Sequence, residues 1–429
     1  MKLYPDYRKL YNLFIFFLLF FSGAFFASGQ NTLELQNRIS QKNADIARLE
    51  DEIRGFQREI DALSRQKTTL AGEIKALDLT RKKLNADISV SQNKIDKTSL
   101  KIKSLSRDID IKEDSISINR EALALGIRQT DELESGSILE SMLSHEDFSL
   151  IWADLDNMMS VREKIRSHVA NLLEVKDELE DTRAETIDAK KELEALRSKL
   201  ADQKKIIEQN TAQKNKLLAQ TKNSESSYQK VLKDRVAQVE ALEKELREYE
   251  SALEYILDPK KLPPHGSLSW PLDNVYITQL FGKTVAAKRL YASGSHSGVD
   301  FRAPVGTPVK AMASGVVAGV GDTDTQCYRA SFGKYVFIKY DNGLASAFGH
   351  LSLIKASPGD RVARGTVVGY TGNTGHSTGP HLHVTVYAPN AAEIRTIPSK
   401  SCPGKFLVQP SAAINAYLDP MDFLPPYNR

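Results

Sequence analysis

The strongest constraint on this chain is an absence, since no proline occurs between Pro5 and Pro259 although the 429 residues include 16 prolines. Glycine is almost as rare there, and residues 30–258 contain only Gly55, Gly72, Gly126 and Gly136. Because proline and glycine interrupt helices, this distribution predicts one long helical half. The remaining turn residues crowd into residues 259–429, which predicts a separate globular domain.

Apolar residues in the helical half recur at steps of seven, with a companion track three residues on. The first track comprises Ile39, Ile46, Ile53, Ile60, Ile74, Ile88, Ile95, Ile102, Ile109, Ile116 and Leu123, interrupted at Lys67 and Arg81. A similar alternation resumes at Ile165 and continues through Leu242 and Leu246 to Ile256. This repeat predicts a coiled coil. Two arms of similar length predict an antiparallel hairpin over residues 30–257, and dimerisation through either arm is the alternative.

The segment that joins the two arms, at about residues 125–160, breaks the repeat and is unusually apolar. It includes Met142, Phe148 and Trp152. The pattern fits two interpretations equally: a helical cap packed on itself, or a docking surface for a partner protein, since methionine and aromatic residues suit adaptable contacts.

The chain begins with a basic segment followed by an apolar one, Leu13 to Ala27, and then small residues. This order predicts a secretory signal peptide over residues 1–29, and an uncleaved membrane anchor is the alternative. Both place the rest of the chain outside the cytoplasm, in the periplasm or on the cell-wall side. The balance of Lys+Arg 58 against Asp+Glu 55 argues against a nucleic-acid partner.

Residues 258–269 read as a stiff linker, and residues 270–429 as an all-β domain. Short alternating runs support the β interpretation, such as those beginning at Gly315, Tyr335, Thr366 and His383, with turn residues between them. The expected fold class is therefore α + β in separate domains, an antiparallel coiled coil followed by an antiparallel sheet. The only two cysteines, Cys327 and Cys402, fall in the β domain and would form either one disulfide or two unreactive thiols.

The β domain also carries a pattern of potential metal ligands. His296 is followed four residues later by Asp300, and His381 and His383 share one face of a predicted strand. Two imidazoles and one carboxylate around an open position are the ligands of a catalytic zinc. The spacing alone is weak evidence, because such pairs arise by chance.

Four motifs around these residues make the pattern specific. They are His296-Ser-Gly-Val-Asp-Phe, Ala303-Pro-Val-Gly-Thr-Pro-Val, Gly349-His-Leu-Ser and Gly372-Asn-Thr-Gly-His-Ser-Thr-Gly-Pro-His-Leu-His. In this order they resemble the lysostaphin/LytM-type zinc metallopeptidases. The resemblance implies one Zn²⁺ per chain held by His296, Asp300 and His383, with His350 and His381 as catalytic histidines and peptidoglycan peptides as substrate. His376 and His265 match no ligand position and are expected at the surface.

After Tyr387 the sequence departs from that family, with a longer segment that contains Cys402. A disulfide from Cys402 to Cys327, joining two loops near the substrate groove, is one hypothesis. A coiled coil before such a domain is similar to the cell-division hydrolase regulators that include EnvC and PcsB. This resemblance implies contact of the coiled-coil tip with an FtsE–FtsX-type membrane complex. It also leaves an alternative to the enzyme, a non-catalytic activator of a separate cell-wall amidase.

Overall fold

The computed structural model describes residues 7–63, 69–134, 148–290, 294–399 and 402–427. The prediction of a signal peptide or anchor rests on side chains before residue 34, which lie outside the described part of the chain. Residues 135–147 of the predicted tip, and the side chains of residues 148–155, lie outside it as well. Among the residues that are described, no helix is long and apolar enough to cross a membrane.

The first half of the chain is helical, as predicted. The long helices are α1 (Tyr7–Leu63), α2 (Leu70–Glu134), α3 (Phe148–Thr221) and α4 (Glu225–Ser251). The first arm comprises two of these helices, α1 and α2, and residues 64–68 between them lie outside the described part of the chain. Ile60 and Leu63 near the end of α1 pack with Leu79 of α2 in one buried apolar cluster. The first arm therefore divides into two helices that share a core of their own.

The chain divides into two compact units, each built from separated segments. They comprise residues 1–49 with 89–200, and residues 50–88 with 201–429. In the first unit, ion pairs join Lys101 to Glu185 at 2.8 Å and Lys112 to Glu178 at 3.2 Å. Because partners that come later in α2 come earlier in α3, these two helices run antiparallel there, as the sequence predicted.

In the second unit, the β-rich part is an antiparallel sheet with two short helices, α5 (Val285–Leu290) and α6 (Thr323–Gln326). The strands are β1 (Ile277–Gln279), β2 (Val299–Arg302), β3 (Pro308–Lys310), β4 (Gly315–Asp322), β5 (Lys334–Tyr340), β6 (Ala345–Ile354), β7 (Arg361–Val362), β8 (Val367–Thr371), β9 (His381–Tyr387), β10 (Glu393–Ser399), β11 (Lys405–Ser411) and β12 (Tyr417–Leu418). The main path is β1-β2-β9-β6-β5-β4-β7, and β10 with β11 forms a separate hairpin. This confirms the predicted fold class. Fully buried Phe337, Phe348 and Tyr387 lie in the core beneath the sheet.

A disulfide joins Cys327, just after α6, to Cys402 at the turn of the β10–β11 hairpin. It confirms the hypothesis that a bridge connects these two loops. Gln326 strengthens the same junction, because its side-chain oxygen accepts a hydrogen bond from the backbone N–H of Val408 at 2.7 Å. The hairpin that departs from the family pattern is thus tied to the loop between β4 and β5.

We expect replacement of both Cys327 and Cys402 by serine to lower the free energy of unfolding of the β domain by about 2–4 kcal/mol, because the bridge constrains the unfolded chain. Chemical denaturation of the oxidised protein and of the double variant measures the difference. A mass spectrum of the untreated protein in which both thiols react with an alkylating reagent would contradict the bridge itself.

Candidate metal and catalytic centre

Strands β2 and β9 bring the predicted metal ligands together. In their antiparallel register Asp300 lies directly opposite His383. His296 joins them from the segment before β2, where its backbone pairs with Gly282. All three side chains are buried, and their candidate ligand atoms lie within 4.8 Å of one another.

The spacing of these atoms suits a tetrahedral metal. His383 Nδ1 and His296 Nε2 lie 2.8 and 3.2 Å from the Oδ1 atom of Asp300, and 3.1 Å from each other. Zinc–nitrogen bonds of about 2.0–2.1 Å at tetrahedral angles place ligand atoms about 3.3 Å apart. The three atoms thus form one small triangular face, as a zinc site with an open fourth position requires.

Outer hydrogen bonds select which ring nitrogen of each ligand is available. His296 Nδ1 lies 3.1 Å from the backbone carbonyl of Leu280. A carbonyl only accepts, so Nδ1 carries the proton and Nε2 is the ligand atom. His383 has the opposite arrangement, because its Nε2 lies 2.9 Å from the hydroxyl of Thr385 while Nδ1 faces Asp300. Both rings are thereby oriented toward the same point.

The electrostatics of the cluster favour the ionisation states that a metal needs. Burial by itself would raise the pKa of Asp300, but the hydrogen bond from His296 and the neighbouring His381 and His383 hold that pKa well below its usual range. Burial lowers the pKa of His383 despite its contact with Asp300. A carboxylate beside a neutral imidazole is the donor set that binds zinc without first losing protons.

The two predicted catalytic histidines lie beside this cluster. The ring centroid of His350, on β6, lies 4.6 Å from that of His381 and 5.7 Å from that of His383. His381 Nε2 lies 3.6 Å from Asp300 Oδ1. The structure therefore gathers all five predicted side chains into one site.

Each of these two rings has its Nδ1 atom against a backbone carbonyl. His350 Nδ1 lies 2.8 Å from Thr374 O, and His381 Nδ1 lies 2.8 Å from Gly379 O. By the same reasoning Nδ1 donates in both rings, so Nε2 is the atom left to exchange protons. His350 adopts a left-handed backbone conformation, with a φ of 61°, which is uncommon for a residue other than glycine. This conformation is part of how its ring reaches the site.

The other two histidines among residues 259–429 differ from each other. His265 is exposed, as predicted, and lies against the backbone oxygen of Asp422. The prediction that His376 is a surface histidine is wrong. Its ring is half-buried and its Nδ1 lies 2.6 Å from the carboxylate of Glu243 on α4. His376 is half-buried because it contacts α4, a helix that the heptad pattern assigned to the coiled coil.

Helix α4 lines the same cavity as the predicted metal ligands His296 and His383. The cavity has a volume of about 250 Å³. From the β domain it is lined by His296, His350, His376, His383, Gln409 and Tyr417, and from α4 by Leu242, Glu243, Leu246, Arg247 and Glu250. Leu242 and Leu246, which the heptad pattern assigned to a coiled-coil seam, are 2% and 9% exposed. They pack instead with Cys327, Cys402, Ile397 and Leu407.

The C-terminal end of α4 is fixed by a buried carboxylate that the sequence analysis missed. Glu250 accepts hydrogen bonds from the Tyr417 hydroxyl and, at 3.3 Å, from the Ser411 hydroxyl. Burial raises the pKa of Glu250 to about 7, although these hydrogen bonds and the nearby Arg247 act to lower it. No local signal in the sequence distinguishes Glu250 from the many other acidic residues of the helices.

A family model described as Peptidase family M23 matches residues 294–395, the segment that contains all five side chains. The chain carries a peptidase M23 domain of the lysostaphin/LytM type. This confirms the resemblance seen in the four motifs. The rest of the chain lies outside the matched segment.

Curated relatives of the M23 domain come from several bacteria. DD-carboxypeptidase/endopeptidase Mpg of Neisseria meningitidis is 42% identical over 88 residues, and peptidoglycan DD-endopeptidase ShyA of Vibrio cholerae is 43% identical over 88 residues. Lysostaphin of Staphylococcus simulans is 38% identical over 90 residues. These alignments cover 20–21% of this chain, 19% of the first two relatives and 17% of lysostaphin. The chain thus matches less than a fifth of the length of each of these relatives.

Proposed function

We propose that this protein is a secreted, zinc-dependent peptidoglycan endopeptidase that cleaves peptide stems or cross-bridges during cell-wall remodelling or daughter-cell separation. The convergence of His296, Asp300 and His383 on one point, with His350 and His381 beside it, supports the proposal most directly. The names of Mpg and ShyA, both endopeptidases, support the substrate class.

The chain's own residues supply the proton chemistry of the proposed hydrolysis. Zinc bound to His296, Asp300 and His383 would polarise a carbonyl group and lower the pKa of a water molecule. His350 and His381, with Nδ1 protons committed to backbone carbonyls, present Nε2 as the proton-exchanging atom. One of them, with Nε2 unprotonated, removes a proton from the attacking water and passes it to the leaving nitrogen. The other, when it carries protons on both ring nitrogens, donates Nε2–H to the oxygen on which negative charge develops. The scissile amide then yields a carboxylate and an amine.

The test of this proposal is the cleavage of a purified muropeptide dimer joined by one peptide cross-link. We expect zinc-loaded protein to convert it to two smaller products, identified by mass, and the His381→Ala variant to bind zinc but leave the dimer intact. Products that appear equally with the variant would contradict the assigned roles.

We also propose that α4 regulates this activity by covering the centre. The burial of Leu242 and Leu246, the contact between Glu243 and His376 and the hydrogen bonds of Glu250 support this role. An extended peptide substrate needs an open groove, and α4 lines the cavity at the metal ligands. Contact of the helical region with an FtsE–FtsX-type complex stays a prediction from the resemblance alone.

The docking of α4 is expected to weaken as pH rises. Glu250 has a pKa of about 7 when docked, against an ordinary value of 4.5, so the docked state binds the proton more tightly. Docking of α4 is therefore strongest below about pH 4.5. It weakens as the pH rises from there to about 7, and the contribution of Glu250 does not change further at higher pH. The acidic and basic groups near Glu250 are Arg247 on α4 and the buried hydroxyls of Tyr417 and Tyr387.

Hydrogen exchange of the α4 amides measures this effect. After correction for intrinsic rates, we expect local opening to increase by roughly 10²-fold between pH 5 and pH 8 in the natural protein. Glu250→Gln cannot ionise, so its opening should change much less over that range. Equal pH dependence in both proteins would show that Glu250 does not control docking.

A further inference from the structure

Two loops contact the predicted catalytic histidines or each other. The 372–380 loop connects β8 to β9, and the 323–333 loop connects β4 to β5 and contains α6 and Cys327. The carbonyls that receive the Nδ1 protons of His350 and His381 belong to Thr374 and Gly379, both in the 372–380 loop. The orientation of both imidazoles thus depends on the position of this loop.

The 323–333 loop holds the 372–380 loop with one carboxylate and one guanidinium group. Asp324 accepts a hydrogen bond from the backbone N–H of Gly375 at 2.9 Å. Arg329 donates from Nη2 to the carbonyl of Ser377 at 2.5 Å and from Nε to the carbonyl of Gly375 at 3.5 Å. Asp324 also accepts from the backbone N–H of Arg329 at 2.5 Å, which ties its carboxylate to the backbone of the residue that supplies the guanidinium group. Charge-assisted hydrogen bonds of this kind are stronger than those between neutral groups.

The backbones of the two loops are in direct contact, so no side-chain atom fits between them at Gly375. A Cβ atom built on Gly375, which has a φ of 65°, would lie 2.2 Å from the backbone nitrogen of Gly333. The backbone N–H of His376 donates to Ser331 O at 2.8 Å. Glycine makes the 372–380 loop compliant, since it contributes no side chain to restrain the chain locally. The facing loop supplies part of the restraint, beside the hydrogen bonds that the Thr374 hydroxyl makes with Leu351 O and the backbone N–H of Lys334.

The 323–333 loop is itself fixed from its other side. The disulfide from Cys327 to Cys402 and the hydrogen bond from Val408 to Gln326 attach it to the β10–β11 hairpin. The chain of contacts runs from the hairpin through the disulfide loop and Arg329 to the two histidines. None of these outer residues touches the metal ligands in the contacts described above.

We propose that Arg329 and Asp324 are positioning residues for the M23 centre. They hold the carbonyls of the 372–380 loop where they accept Nδ1–H of His350 and His381. If those carbonyls move, each imidazole gains the alternative tautomer, in which Nε2 carries the proton and cannot accept one. The effect on turnover rests on the proposed peptidase function, whereas the effect on the tautomers does not.

The test compares full-length Arg329→Met, Arg329→Lys and Asp324→Asn with the natural protein. Arg361→Met is the matched control, because Arg361 is exposed and pairs only with Asp341 in the contacts seen. Nitrogen-15 NMR of histidine-labelled protein at one fixed pH, with and without zinc, reports which ring nitrogen carries the proton. Zinc affinity is also measured for each protein, together with kcat and KM for the cleavage of a muropeptide dimer.

For Arg329→Met we expect a second tautomer at His350 and His381 but not at His296, with unchanged zinc affinity. The kcat should fall by about 10–100-fold at an unchanged KM, the range seen for groups that orient catalytic ligands. Arg329→Lys, which retains a donor and the charge, should recover part of the loss, and Arg361→Met should resemble the natural protein.

Two results would overturn the proposal. One is an Arg329→Met protein in which both histidines keep a single Nδ1–H tautomer. The other is a parallel loss of zinc affinity and thermal stability that accounts for the whole fall in kcat, because that would indicate a purely structural role. A folded, zinc-loaded protein that lacks hydrolytic activity even when α4 is released would contradict the proposed function, and the tautomer comparison would still decide this inference.

Discussion

Replacing His383 by alanine is expected to remove zinc binding and hydrolysis together. His383 supplies one of only three ligand atoms in the triangle with Asp300 and His296, and its loss leaves a buried carboxylate beside a single imidazole. We expect zinc affinity to fall by more than about 10²-fold, beyond the effect typical of groups that only orient ligands. Hydrolysis of a muropeptide dimer should fall to the background rate.

Metal analysis by mass spectrometry after dialysis, together with the cleavage assay, measures both effects. His265→Ala is the matched control, because it removes an exposed imidazole from the same domain and should keep one zinc per chain. A His383→Ala protein that keeps its zinc at natural affinity would place the metal elsewhere.

Releasing α4 is expected to have the second large effect, in the opposite direction. Leu242 and Leu246 are almost fully buried against the disulfide and the β10–β11 hairpin. Burial of a leucine side chain contributes about 1.5–3 kcal/mol, so Leu242→Asp with Leu246→Asp weakens docking by at least about 3 kcal/mol. If the docked state dominates in the natural protein, kcat/KM for peptidoglycan should rise by roughly 10²-fold.

The control for this variant is Leu173→Asp, which introduces the same change at a leucine of α3 that is 58% exposed. Zinc content and circular dichroism should match the natural protein in both variants. Unchanged activity in a folded, zinc-loaded Leu242→Asp/Leu246→Asp protein, with α4 shown by hydrogen exchange to be released, would contradict regulation by this helix.

The sequence was sufficient for the fold class and for the five residues of the centre. Alternating runs predicted the strands, and four motifs in order carried the family resemblance that implied His296, His350 and His383, whereas the spacing alone was weak evidence. Such short-range patterns can be recognised without knowing the tertiary structure, because side chains two residues apart on a strand share a face.

The covering of the site could not be predicted in the same way. Leu242 and Leu246 satisfy a heptad repeat, and a repeat shows that a helix has an apolar face without showing what covers that face. The identity of the partner depends on Cys402 and Leu407, which lie more than 150 residues further along the chain. Leu268 is a similar case, since a predicted linker residue is fully buried in the core of the sheet domain.

The loop that positions the histidines also lay beyond the sequence analysis. Asp324 and Arg329 belong to no motif and look like ordinary charged loop residues. Their role appears only when the 323–333 and 372–380 loops are in contact, because the acceptors are backbone carbonyls and have no sequence signature.

We propose, above all, that the M23 centre of this chain is catalytic and is covered by α4. The most direct measurement is the digestion of purified peptidoglycan by zinc-loaded Leu242→Asp/Leu246→Asp protein, with and without His381→Ala, and with products identified by mass spectrometry. We expect new peptide ends with the Leu242→Asp/Leu246→Asp protein, and none when His381 is also replaced by alanine. A folded, zinc-loaded and released protein that produces no new ends would contradict it, and would favour the alternative of a non-catalytic activator of a separate cell-wall amidase.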